Sequence, residues 1–193
     1  MKKLTYILLI FYAFNFSGLY SDDFHTTLKK KADRGDAISQ NDLGHMYLDG
    51  FPEYNIGQDT DKAIYYLSKA AAQNQVNAMT TVGWVYFEGT HGAPVDYKEA
   101  IGWNKKASDL GCSIASYNMG LFYYGGLADL DQNLNEAKKF WLLSASQYID
   151  PKNVCRADPD ELLREINQYN KNPSKEMQKL RDFFIKLLKS EPI

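Results

Sequence analysis

The chain predicts an all-α solenoid of stacked antiparallel helix hairpins, and three observations carry that prediction. Glycine pairs recur at matching offsets: Gly44 and Gly50, Gly83 and Gly89, Gly120 and Gly126. Each pair encloses a tyrosine at the same interior place: Tyr47, Tyr86 and Tyr123. Alanine-led helical segments then begin at Ala63, Ala100 and Ala137, 37 residues apart. A fixed period of about 20–50 residues marks stacked supersecondary units rather than one globular core. Stacks of this kind build long binding surfaces, so the expected mode of action is holding another molecule.

The 193-residue chain opens with a segment that stands apart from the fold. Lys2 and Lys3 are followed by an uncharged run from Leu4 to Phe16, then by Ser17, Gly18 and Ser21. Basic, apolar and small-polar segments in that order read as a secretory signal peptide over residues 1–21, cleaved near 18 or 21. The apolar run is shorter than the roughly 20 helical residues a bilayer requires. The remainder keeps 20 of the 22 basic side chains against 24 acidic ones, a net charge of −4. This mild, unclustered acidity argues against a nucleic-acid partner. The expected location is periplasmic or secreted. In such a compartment disulfides persist. Cys112, at the start of the third repeat, and Cys155, just past its second helix, are placed for a bridge; two buried free thiols are the alternative.

Residues 22–148 hold a partial N-terminal unit and three repeats. Phe24 to Gly35 reads as the back half of a degenerate unit serving as a cap. The second full unit shows the logic. Its first helix is predicted over Val76 to Phe87, with Ala78, Val82 and Tyr86 on one face at spacings of four. Gly83 inside it costs about 1 kcal/mol of helix stability relative to alanine, a cost that close approach of the partner helix would offset. Gly89 ends the helix by adopting positive φ, and Pro94 lies in the loop. The second helix is predicted over Tyr97 to Leu110, with Asp96 as N-cap and Glu99 completing a capping-box pattern. Ala100, Trp103 and Ala107 form its packing stripe, and Gly111 closes it. The third unit repeats this with Ala115, Met119, Gly120, Tyr123, Ala137, Phe140 and Ser144, and the first with Ser39, Leu43, Gly44, Tyr47, Ala63, Tyr66 and Ala70. The large Tyr66, Trp103 and Phe140 are expected to face small residues. The first unit's connection, Phe51 to Asp61, is two residues longer than the others and should bulge from the stack.

A small residue, three spaces, an apolar residue, Gly, two spaces, Tyr, two spaces, Gly, and later Ala, two spaces, an aromatic and Lys-Ala, resembles the Sel1-like repeat family, a relative of the tetratricopeptide repeats. The match covers about Asp36 to Gln147. It implies a right-handed α-solenoid that binds proteins or peptides. Some secreted members carry a disulfide in each repeat; those paired cysteines are missing here.

Residues 149–193 are not a repeat and are expected to form a helical cap. Asp158, Pro159 and Glu161 open one helix with N-cap, N1 and N3 chemistry. Asn172 and Pro173 open another, with Met177, Leu180, Phe183, Phe184, Leu187 and Leu188 as its apolar stripe and Lys171, Lys175, Lys179, Arg181, Lys186 and Lys189 on its other side. Covering the last repeat is the expected role of this pair; membrane-surface contact and folding back into the groove are the competitors.

The first helices of such hairpins line a concave side. Counting from each glycine places His45, Leu48, Trp84, Phe87, Leu121 and Tyr124 on that side, with Asn41, Thr80 and Tyr117 one turn earlier. Such a strip of apolar and aromatic side chains suits a protein partner.

No parts for chemistry assemble. Ser-x-x-Lys and Lys-Thr-Gly are absent, so the β-lactamase label attached to some secreted Sel1-like proteins lacks its nucleophile motif. There is no Gly-x-Ser-x-Gly, His-Glu-x-x-His or phosphate loop. His25, His45 and His91 are scattered, and no spacing suits a metal site. The expectation is a non-enzyme without cofactor or metal: an exported adaptor that grips a protein or peptide in its groove. By family analogy its concrete versions are an immunity protein against a periplasmic toxin, or a virulence-associated factor that engages host proteins.

Overall fold

The computed structural model describes residues 24–128, 130–149, 155 and 182. The expected signal peptide lies outside the described residues, as do both expected C-terminal cap helices apart from residue 182. Within them the regular elements are helical: α1 (24–33), α2 (Ala37–Asp49), α3 (Thr60–Ala72), α4 (Val76–Glu88), α5 (Tyr97–Asp109), α6 (Ser113–Gly125) and α7 (Leu134–Ile149). The chain forms two compact units that divide inside α4, between Ala78 and Met79, with residues 91–93 belonging to the first. α2 packs on α3 in the first unit; α5 packs on α6, and α6 on α7, in the second.

The repeat is written in backbone hydrogen bonds as well as in side chains. In every unit the carbonyl of the signature tyrosine accepts the N–H of the residue that caps the next helix. Asp59 donates to Tyr47 at 2.7 Å, Asp96 to Tyr86 at 2.8 Å and Asn133 to Tyr123 at 2.8 Å. The same three residues cap with their side chains, accepting from Lys62 N–H, from Lys98 and Glu99 N–H, and from Asn135 and Glu136 N–H. Their oxygens satisfy helix donors that have no intrahelical partner. Asp96 therefore spends its own N–H on Tyr86, and the reciprocal arm of the predicted capping box, from Glu99, is replaced by this tertiary bond.

The corners between repeats also share one device. Residues 35, 74 and 111 have positive φ, and the following N–H reaches back over the helix end: Asp36 to Lys31, Gln75 to Ala70 and Cys112 to Ala107, at 3.0–3.2 Å. This is the six-to-one bond of a Schellman cap, which favours glycine at the left-handed position. Gly35 and Gly111 follow the rule, and Asn74 takes the same conformation with a side chain that tolerates it.

The longer first connection does not hang loose. Phe51 and Ile56 form an antiparallel bridge around the short 3-10 turn Pro52–Tyr54, closed by Asn55 at φ 55°. Ile56 is 2% exposed. The two extra residues are thus absorbed by a miniature hairpin whose closing residue, Ile56, anchors in the core.

The recurring glycines face side chains. A Cβ on Gly44 would lie 2.6 Å from Leu67 Cγ, one on Gly83 would lie 2.5 Å from Asn104 Nδ2, and one on Gly120 would overlap the Trp141 indole. Positions 67, 104 and 141 keep the 37-residue period. Close helix approach is part of the reason for glycine, since Leu67 N and Ala100 O lie 3.1 and 3.4 Å from those Cβ positions. The deeper reason is a notch that receives one partner side chain per repeat. The aromatic residue just before each knob was expected to face small residues. Instead Tyr66 stacks on Tyr47 (6.0 Å, 10°) and Phe140 on Tyr123 (5.5 Å, 14°).

In the first unit α1 is tied to α3 through a carboxylate. Tyr66 Oη donates to Asp33 at 2.8 Å, and Lys29 Nζ donates to its other oxygen at 2.6 Å. The Lys29 ammonium, then the Tyr66 hydroxyl, hold the Asp33 carboxyl below its ordinary value. Asp36 is lowered by Ser39, and Asp59 by the Lys62 ammonium and N–H. A depressed folded value means stabilisation that is complete above the unfolded carboxyl value and fades as pH falls through the folded one. The melting midpoint should accordingly decline from about pH 4 downward, and Asp33→Asn should flatten part of that decline. Thermal unfolding followed at a series of pH values checks this; the same acid slope in wild type and variant would contradict the Asp33 contribution.

Candidate functional site

The second unit carries a small recess of about 40 Å³ lined by Trp84, Phe87, Glu88, Asn104, Asn118, Leu121 and Phe122. Helical spacing explains the grouping. Trp84, Phe87 and Glu88 fall at i, i+3 and i+4 on α4, and Asn118, Leu121 and Phe122 do the same on α6, so each set shares one face. Phe87 meets Phe122 edge to face, with centroids 5.4 Å apart at 90°, which fixes the apolar side of the recess. Trp84 is 41% exposed.

The floor is polar and ordered. Asn104 is 1% exposed. Its amide donates to Ala100 O at 2.8 Å, and its carbonyl accepts from Asn118 Nδ2 at 2.9 Å. Asn104 is thereby held through both ends of its amide and orients Asn118, whose carboxamide lines the recess with donor and acceptor capacity to spare. Glu88 is exposed at the edge, and no basic side chain lines the recess.

Of the nine residues expected in a groove, Trp84, Phe87 and Leu121 meet in this recess. Leu48 and Tyr117 do not line an open wall: they are 3% and 2% exposed. Tyr117 belongs to a core cluster with Ala137, Trp141 and Ala145, and Tyr124 packs on that cluster, 5.8 Å from the Trp141 ring. The reason is rotational: stepping back one turn from Leu121 to Tyr117 turns the side chain toward α7, and the solvent-facing neighbour is Asn118. Thr80 is half-buried on α4, and Asn41 and His45 are half-buried on α2 in the first unit. Glu88, Asn104 and Asn118 were missed from the sequence. Asn104 had a signal, since it interrupts with a polar residue a repeat position held by Leu67 and Trp141.

Cys112 and Cys155 form a disulfide. Cys112 also caps α6, its sulfur accepting the Ala115 N–H, and Ser113 Oγ donates to Cys155 O at 3.1 Å. Among the described residues no three His, Cys, Asp or Glu side chains converge to hold a metal ion, and no helix is long and apolar enough to cross a membrane.

The Sel1 repeat family model matches residues 37–75, 76–112 and 113–148, more than half of the chain. The boundaries between these segments, at 75/76 and 112/113, fall at the observed corners. A putative sel1-like repeat-containing protein, L21, of Acanthamoeba polyphaga mimivirus is 28% identical over 131 residues, which are 67% of this chain and 22% of that protein. The chain thus spans about a fifth of that relative's length. A Sel1 repeat protein from Oxalobacter formigenes is similar in structure, with TM-score 0.54 and 30% identity, over 63% of this chain and 88% of that one. The c5321 protein, a protective antigen present in uropathogenic Escherichia coli strains, displays an SLR fold. It is similar with TM-score 0.64 and 22% identity, over 85% of this chain and 32% of that one. The fold is therefore the all-α, helix-hairpin solenoid class that the repeat predicts.

Proposed function

The chain belongs to the Sel1-repeat family, whose members mediate protein–protein interaction, and on that premise we propose that it is an exported adaptor that grips a protein partner at the Trp84 recess. The observation that carries this reading is the recess itself: a 41% exposed tryptophan beside buried aromatic contacts and a pre-oriented carboxamide. Interface hot spots have this make-up, an aromatic anchor in a rigid surround with few polar groups. Asn118 adds a group that matches a peptide backbone, which offers both a donor and an acceptor. A non-catalytic role agrees with the family.

Export is supported by the order of basic, apolar and small residues over 1–21. The Cys112–Cys155 bridge suits an oxidising compartment. Periplasmic or secreted fractionation, with a mature N-terminus near residue 19 or 22, is the expected outcome; recovery from the cytoplasm with Met1 intact would contradict it.

The test of the adaptor is affinity capture from the exporting cell, then titration of the purified partner against Trp84→Ala. Loss of a central aromatic anchor should weaken binding by at least about thirtyfold, the level of a hot spot, with the melting temperature unchanged. An unaltered Kd in the folded variant would remove the recess from the interface. A captured toxin whose activity the protein blocks would give the immunity version, and a captured host protein the host-interaction version.

A further inference from the structure

We infer that the recess is selective for a cation: its occupant is a peptide segment that presents an arginine side chain, flanked by apolar residues. The inference rests on the recess being the partner site and specifies what enters it. Three features converge. Glu88 stands one helical turn from Trp84 on α4, exposed and without an ion partner among the described residues. The recess lining holds one carboxylate and no basic group. Asn118 is oriented by its bond to Asn104, so a carboxamide oxygen is available from the α6 side.

A guanidinium answers all three. Its planar fork can pair with the Glu88 carboxylate through two parallel N–H···O bonds. Its remaining N–H groups can donate to Asn118. Its flat face stacks on an indole, where Trp is the best aromatic partner for a cation. A lysine ammonium would supply the charge without the fork or the stacking plane. An acidic segment would meet Glu88 with like charge. The small volume, about 40 Å³, suits one planar group with flanking apolar residues resting on Phe87 and Leu121.

The experiment uses the purified full-length protein and two dye-labelled, end-capped heptapeptides of leucine and alanine, with either arginine or its neutral isostere citrulline at the centre. Fluorescence anisotropy reads the Kd of each. The arginine peptide should bind about tenfold or more tightly than the citrulline peptide at low salt. Glu88→Gln should erase most of that ratio, and rising salt should narrow it. Trp84→Ala should weaken the arginine peptide in a protein with unchanged melting temperature. Equal binding of both peptides to wild type, with both lost in Trp84→Ala, would overturn the cation preference and leave the recess as the partner site. Arginine-peptide binding that is indifferent to Trp84→Ala would overturn the recess reading itself. No binding of the arginine peptide up to millimolar concentration would also overturn the inference.

Discussion

Replacing Gly120 by alanine is expected to lower stability by about 2–4 kcal/mol, although the same change in an ordinary helix interior raises it by about 1 kcal/mol. The sign reverses because the new Cβ would overlap the indole of Trp141. That ring is 7% exposed, and its N–H donates to Tyr117 O at 3.2 Å. It cannot turn aside without breaking the bond and leaving a buried donor unpaired. Gly44→Ala should follow, since Leu67 is fully buried and both its side chain and its backbone N crowd the site. In Gly83→Ala the clash is with an amide end, and the response would disturb the Asn104–Asn118 pair instead. Gly102 is the internal control: it is exposed in α5, and an added Cβ meets nothing within 4 Å. Gly102→Ala should therefore stabilise by about 0.5–1 kcal/mol. Thermal unfolding separates the two cases, with a drop of roughly 5–15 °C for Gly120→Ala and a small rise for Gly102→Ala. A rise in both would dismiss the notch.

That contrast also shows where sequence reasoning works and where it stops. The repeat, its helix boundaries and its caps follow from residue type at fixed spacing, because glycine at positive φ and Asp or Asn at an N-cap are local requirements. The knobs at 67, 104 and 141 were not singled out. They sit one residue beyond the aromatic stripe, and their chemistry differs from unit to unit: an aliphatic, an amide and an indole. Periodicity reports that a place recurs, but not which neighbour fills it when three different side chains share the task. The lining of the recess was half legible for a related reason. Trp84, Phe87 and Leu121 were found by offset from the glycine. Tyr117 was misplaced because a step of four residues turns the side chain by about 40°, which at this position carries it from the recess to α7; Leu48 holds the same offset from its glycine as Phe87, and in the first unit that position is buried. Glu88 and Asn118 are polar residues on helical faces, indistinguishable in sequence from ordinary solvated positions until α4 and α6 are brought together.

The second large effect is expected at the disulfide. Cys112 and Cys155 are 43 residues apart, and the closed loop contains α6 and α7. Opening a loop of that length returns chain entropy to the unfolded state worth about 4 kcal/mol in the loop-closure model. Serine is the right replacement at both ends. At position 112 the hydroxyl can take over the cap on Ala115 N–H that the sulfur now provides, so Cys112→Ser with Cys155→Ser removes the bridge and spares the helix terminus. Urea unfolding of the double variant should show a stability loss approaching that figure. Wild type in reductant should match it, because both lack the same cross-link. The loss should also be local. In a repeat protein, stability is summed over units and their nearest neighbours, so amide exchange in α6 and α7 should quicken while α2 and α3 keep their protection. If α2 and α3 lost protection equally, the bridge would be supporting the whole chain as one cooperative block, and the repeat-by-repeat account of stability would have to be given up.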